Sequence, residues 1–291
     1  MKRTPRTKLT AEQVFDASKM TNPEIRVLVT YYHDAQDKRK GADMQLRHLG
    51  DKTAPEADPS VNNPAYLLLH IAEEQMRLEK DIAKGLTEYA EGHPVGRWML
   101  AQTGIGGVIA SGYLADIDIE RCPTVGHIWS FSGLNPEQKW EKGQKRPFSA
   151  SMKQLAHHAR ECFKRSCNHP DSFYGRLYQA KKVEYNARNE RGGFADKAAT
   201  YKGVSDPENK KLLAAGKVPP AYIDKCAGRY AVKIFLSHLH AIWYWHHFHK
   251  APPKPFAISV LGHAHEIRVP NTDLFPGFEE AYYGAKLRRV A

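Results

Sequence analysis

From Ile25 onward the core-type residues return at alternating steps of three and four: Ile25, Leu28, Tyr32, Ala35, Ala42, Leu46 and Leu49, with Arg39 the polar member of the row. That rhythm is a heptad seam along one helix. Thr21-Asn-Pro-Glu24 begins it, since the fixed φ of proline suits the first helical turn. Residues 50–63, rich in Asp, Pro, Ser and Asn, read as a turn. Asn63-Pro64 then opens a second helix, with Leu68, Ile71, Gln75, Leu78, Ile82 and Tyr89 in the same rhythm. Together they predict an antiparallel coiled-coil arm over residues 22–92. One seam of this kind cannot bury itself, so the arm folds back on itself or pairs with another subunit. Homo-oligomerisation through residues 22–92 is the expectation; an ordinary hairpin packed on the rest of the domain is the alternative. Arg39 and Gln75 within the seam would fix its register at some cost in stability.

Ahead of the arm, residues 1–9 read as a basic tail, and Thr10-Ala-Glu-Gln13 as the capping box of a short helix carrying Val14 and Phe15, within a segment 1–21. Gly92-His-Pro94 breaks the arm, and a domain spanning 93–250 follows. In it Leu100, Thr103, Gly104-Ile-Gly106, Ala110 and Leu114 have the layout of a helix-hairpin-helix. An apolar helix end meets a turn of two glycines around one buried aliphatic, and a second helix sets a small residue against the first. Glycine supplies the positive φ of such a turn cheaply. The turn leaves the second helix's first N–H groups pointing outward, where the helix dipole favours an anion such as a backbone phosphate. Gly104, Gly106 and Gly107 are therefore candidate nucleic-acid contacts; a plain αα-hairpin is the rival reading.

Ser149 or Ser151 caps a helix through Leu155, Ala159, Cys162 and Phe163, and residues 171–190 form another helix with a basic face. Residues 192–220, with Gly192-Gly193, Ser205-Asp-Pro207 and Pro219-Pro220, read as an irregular insertion. Residues 221–249 make a strongly aromatic helix that closes the core. In the Pro-rich tail 251–291, Phe256, Ile258 and Val260 alternate, as do Ile267 and Val269, so Gly262-His263 predicts the turn of a small β-hairpin. The expected fold class is mainly α: an antiparallel coiled-coil arm, a helix-hairpin-helix-containing helical domain, and a small C-terminal β-hairpin.

Charge adds direction. The chain of 291 residues carries a net charge of +11, an excess that favours polyanions through counterion release. Residues 137–166 hold eight Lys or Arg against three acids. Lys139, Lys142, Lys145 and Arg146 surround Trp140, and Lys153 follows; cations around an aromatic suit a phosphate backbone and an unstacked base. No apolar run approaches the ~18 residues of a membrane span, and no apolar segment follows the basic N-terminus as a secretory signal would require. Four cysteines without a CxxC pair suit a reducing compartment, so a cytoplasmic place is expected.

At this point the residues carry a family pattern. Gly104-Ile-Gly106, Ala110, Leu114, Ala115, Pro123, the box Ser130-Phe-Ser-Gly-Leu-Asn-Pro136 and the basic loop resemble the C-terminal domain of the insertion sequence 110/116/902 family transposases. The preceding arm matches too, and the resemblance covers about residues 22–250. It implies an oligomer acting on DNA with a structured RNA as guide. It also implies two catalytic parts: a RuvC-like domain whose four acids bind metal, and a serine that joins covalently to DNA. This sequence departs from the pattern at both parts. Residues 1–21 are too few for the RuvC-like strands. Where the family has serine between an acid and a glycine, this chain reads Glu141-Lys142-Gly143. A protonated ammonium binds phosphate but is a poor nucleophile. Ser149 and Ser151 lie nearby as substitutes if the loop rearranges.

Of the histidines crowding 238–249, only His246 and His249 have ligand-like helical spacing, and His263 with His265 has strand-like spacing; neither pair nominates a metal site. No Walker loop, HExxH or GxSxG element occurs. No cofactor is expected, with Mg2+ entering only beside a separate RuvC-like partner. The expected function is DNA binding by a transposase-derived protein without autonomous strand transfer. An active subunit of a split transposase or invertase, and an oligomerising regulator of a full-length transposase, are the alternatives.

Overall fold

In a computed structural model of the chain, residues 17–48, 64–254 and 267–284 are described. They are mainly helical, with no strand among the described residues. The helices are α1 (Asn22–His48), α2 (Pro64–Gly92), α3 (Pro94–Leu100), α4 (Gly107–Asp116), α5 (Val125–Phe131), α6 (Ala150–Arg165), α7 (Phe173–Glu190), α8 (Ala195–Ala199), α9 (Pro207–Ala214), α10 (Pro220–Phe248) and α11 (Phe278–Tyr283). No described helix is long and apolar enough to cross a membrane.

The spine is α10. Ala227, Ala231, Phe235, Leu239 and Ile242 recur at steps of three and four, all fully buried, and α3, α5, α6 and α7 pack around them. Phe235 is the hub: the rings of Trp98, Tyr113, Phe163 and Tyr174 lie 5.3–5.9 Å from its own. α4 is buried on nearly every side because α1, α2 and α6 all cover it. Its Gly112 lets Leu155 of α6 close in; a Cβ there would stand 2.7 Å from Leu155 Cδ2.

α1 and α2 run antiparallel, linked by the Tyr89 hydroxyl donating to Asn22 Oδ1 at 2.9 Å and by Arg39 on Glu79 at 2.6 Å. The α1 row is as read: Ile25, Ala35 and Ala42 are buried, and Leu28, Tyr32, Arg39 and Leu46 half-buried. The α2 row is corrected. Ala72, Glu79, Leu86 and Ala90 are buried and Leu68, Gln75, Ile82 and Tyr89 flank them, while Ile71 and Leu78 stand 37% and 43% exposed. Two of the four buried α2 positions are alanines, and the buried polar one, Glu79, pairs with Arg39. The base of this hairpin docks on α4, where the Ser111 hydroxyl donates to the Leu86 carbonyl and the Arg26 guanidinium to the Ala115 carbonyl.

The 192–220 segment differs from the reading as irregular. It holds α8 and α9, and Ala198, Val218 and Ile223 form a small core of their own beneath Phe194 and Tyr222. Asn189 clamps it, exchanging hydrogen bonds of 3.0 Å with both backbone groups of Val218. The basic tail, the first capping box, Leu49 of the α1 row, the 50–63 turn and most of the expected β-hairpin lie outside the described residues. Of that hairpin, Ile267 and Val269 are described and lie in no strand; their backbone groups bond to side chains, the Ile267 carbonyl to His238 and the Val269 N–H to Tyr283.

Candidate nucleic-acid interface

The glycine turn between α3 and α4 divides its labour. Gly104 has φ +100°, a conformation glycine adopts without strain, and Ile105 beside it is buried in the main core. Gly106 is the extended N-cap of α4, is exposed, and has nothing within 4 Å of where a Cβ would sit. Gly107 is buried: a Cβ there would meet Thr87 Oγ1 at 2.2 Å and its Cα at 2.6 Å. Its missing side chain serves the approach of α4 to α2. The Gly107 and Val108 N–H groups precede the first intrahelical bonds, which run from Ile109 and Ala110 to Gly106 O, and have no acceptor among the described residues. The turn also leans on the 166–172 loop, where the Thr103 hydroxyl donates to the Asp171 carbonyl at 3.2 Å.

The basic loop between α5 and α6 is built on the box that precedes it. Gly133 has φ +64° and lies under Phe148 and Lys153. Asn135 ties the box together, its amide donating to Ser130 Oγ and its oxygen accepting from the Glu137 N–H. Ser149 N–H closes the loop on the Phe131 carbonyl at 2.9 Å. At the tip, Gly143 has φ +95°, the Trp140 indole donates to the Gln144 carbonyl at 2.8 Å, and the Arg146 guanidinium lies 5.6 Å above the indole ring. Lys139, Lys142, Lys145 and Arg146 are all exposed, and none is in an ion pair with a described residue. Lys153, at the base, sets its ammonium 4.3 Å over the Phe148 ring.

The two serines lie below this loop. Ser149 Oγ accepts the Met152 N–H, the ordinary N-cap of α6. Ser149 and Ser151 share a 2.8 Å hydrogen bond, and Ser151 donates at 2.6 Å to Asp116, which Arg26 holds at 3.1 Å. Asp116 thus stands where two clefts of about 540 and 510 Å³ meet. Chemically, this puts a carboxylate in position to receive a serine proton. Lys142 is out on the exposed loop.

One cluster escaped the sequence reading. Asp224 of α10 accepts from Lys164 Nζ at 2.7 Å, Lys182 Nζ at 2.9 Å and the Tyr178 hydroxyl. Burial opposes its ionisation, but these hydrogen bonds outweigh it and hold the carboxyl well below the usual carboxylate range. The available signal was that Asp224 is the sole acid of α10. The crowded histidines resolve into core and edge contacts. His240 faces the Cys122 carbonyl at 2.9 Å, His247 faces Glu120, and His246 lies edge-on to His93. No group of three potential metal ligands converges among the described residues. Compared with known proteins, the chain is matched by no protein-family model, no curated protein and no solved structure.

Proposed function

We propose that the chain is a nucleic-acid-binding protein derived from an insertion sequence 110-type transposase. It grips the phosphate backbone with the basic loop and with the N-terminus of α4, the second helix of a helix-hairpin-helix. The observation that carries this reading is the loop itself: Lys139, Lys142, Lys145 and Arg146 stand together, exposed and unpaired by acids among the described residues, on a base fixed by Gly133, Asn135 and Ser149. The α1–α2 hairpin is the coiled-coil arm of this reading and its route to homo-oligomers. DNA is the ligand, a structured RNA a further partner, and the cytoplasm the place of action. The chain by itself does not carry strand transfer, and Mg2+ enters only where a separate RuvC-like subunit joins it. The test is Lys142→Ala/Lys145→Ala/Arg146→Ala, measured by binding of a labelled duplex over a salt series. Each lost phosphate contact flattens the slope by about one unit. Unchanged affinity and slope would sink the loop as the grip.

The Ser151–Asp116 hydrogen bond favours a second reading, an active subunit of a split transposase or invertase in which Ser151, or Ser149 beside it, attacks DNA. A covalent adduct on a suicide substrate in the presence of the RuvC-like partner, lost in Ser151→Ala, would establish it. No adduct with the partner supplied removes it.

A further inference from the structure

α6 and α10 lie antiparallel in a close register: Lys164 meets Asp224 at one end, and Arg160 crosses Gly228 one turn further on. The crossing depends on glycine, because a Cβ at 228 would stand 2.5 Å from Arg160 Cγ. Basic rows run along both helices at this contact, with Lys153, Lys225 and Arg229 exposed and Arg160, Lys164 and Lys233 half-buried. On α6 the row is Lys153, His157, Arg160 and Lys164, at steps of four, three and four; on α10 it is Lys225, Arg229 and Lys233, at steps of four. A step of four residues along a helix is about 6 Å, and Lys153 to Lys164 spans about 16 Å. The two helices carry seven Lys or Arg against two acids, Glu161 and Asp224, and both acids are already engaged, by Arg160 and by Lys164 with Lys182. The excess is therefore uncompensated. Lys225 and Arg229 are exposed and meet no acid among the described residues. At the far end of the α10 row the Lys233 ammonium lies 4.1 Å over the Trp129 ring, whose indole donates to the Lys233 carbonyl, so Lys233 is already engaged. Lys153 joins this face to the base of the basic loop through Phe148.

We infer that the α6/α10 face is a second backbone-binding surface, along which the nucleic acid held by the loop continues toward Lys164 and Lys225. The inference rests on the reading of the chain as a nucleic-acid-binding protein. It adds a rigid two-helix track that the loop and the glycine turn do not include. Exposed lysines and arginines on helices read phosphates rather than bases, so the track holds its ligand without regard to sequence.

The experiment compares three variants of the full chain on a labelled mixed-sequence duplex over a KCl series. Lys225→Ala/Arg229→Ala is the track variant, with alanine chosen because it suits an exposed helix. The loop variant is the triple substitution above, and Lys202→Ala/Lys210→Ala removes the same charge from the 192–220 segment. The track variant is expected to lower the slope of log K against log salt by about 2, at about 0.9 per contact, and the control to change it far less. A track variant that binds like the parent, or no worse than the control, overturns the inference while the loop result stands by itself. A loop variant that binds like the parent overturns the loop reading and leaves the track. Two mixed-sequence duplexes of different base composition should lose equally; a loss confined to one of them would overturn the sequence-independent role.

Discussion

His33 of α1 and His158 of α6 lie ring on ring, their centroids 4.6 Å apart and their planes within 7° of parallel. The Nε2 atoms of both are buried and have no hydrogen-bond partner among the described residues. This setting favours the neutral form of both rings. Burial lowers both, and His33, His157 and Lys40 add to it at His158, which is pushed down to about 4; Asp34 and Asp37 oppose the shifts only partly.

The sign of the pH effect follows. A histidine whose folded pKa is depressed contributes stability that is fully present above its unfolded value near 6.5 and is lost as pH falls toward about 4. The melting temperature should therefore be level above pH 7 and fall between those limits. His33→Phe/His158→Phe keeps two stacked rings and removes two titrations. Its melting temperature should fall less steeply over the same range, measured by circular dichroism in matched buffers. An identical pH profile would remove the pair from the acid response.

His238 supplies a second, independent part of that response. Fully buried, it faces the Ile267 carbonyl through Nε2 at 2.9 Å and the Tyr174 hydroxyl through Nδ1 at 2.9 Å. A carbonyl only accepts, so Nε2 carries the proton and Tyr174 donates to Nδ1. Burial pushes the ring down to about 4, which at about 1.4 kcal/mol per unit amounts to about 3 kcal/mol lost between neutral pH and that value. Tyr174→Phe keeps the ring against Phe163 and Phe235 but strands Nδ1. It is expected to cost about 1–3 kcal/mol in urea unfolding at pH 7. A cost near zero would show the hydrogen bond to be idle.

Gly106 and Gly107 are adjacent and predict opposite outcomes. A Cβ on Gly107 strikes the backbone of Thr87, which cannot move without shifting α2, so Gly107→Ala should cost about 1–3 kcal/mol or more. Gly106→Ala meets open space at φ −101° and should fold like the parent. If Gly107→Ala melts with the parent, the α2–α4 contact is looser than its distances imply.

What was legible in the sequence follows from what repeats locally. The α1 row could be read because its large members, Ile25, Leu28, Tyr32 and Leu46, recur at helical spacing on the same face as the buried Ala35 and Ala42. The α2 row was misread because alanines and Glu79 take the contact, leaving Ile71 and Leu78 at the surface, where hydrophobicity alone points the wrong way. The glycine turn and basic loop were legible as compositions, but the different tasks of Gly106 and Gly107 depend on Thr87, twenty residues earlier. Order within 192–220 was hidden because its core is three residues, one of them supplied by α10. The histidines announced themselves by number, yet their carbonyl partners at 122 and 267 are set only by the folded chain.

Asp224 gives the remaining prediction, in which stability and binding move in opposite directions. Its carboxylate joins α10 to α6 and α7 through Lys164, Lys182 and Tyr178, and its stabilising effect is present above the unfolded carboxylate value near 4 and lost as pH falls below it. Asp224→Asn preserves shape while removing the charge. With the carboxyl a fifth exposed and the lysines more so, screening limits the loss of stability to about 1 kcal/mol. Lys164 and Lys182 would then carry charge that nothing else neutralises, beside the α6/α10 track. Affinity for a labelled duplex at moderate salt should therefore rise above the parent's, with a steeper salt dependence by as much as about two phosphate contacts. If the variant instead binds more weakly while its melting curve stays close to the parent's, Asp224 holds the two lysines in their binding positions rather than competing with phosphate for them.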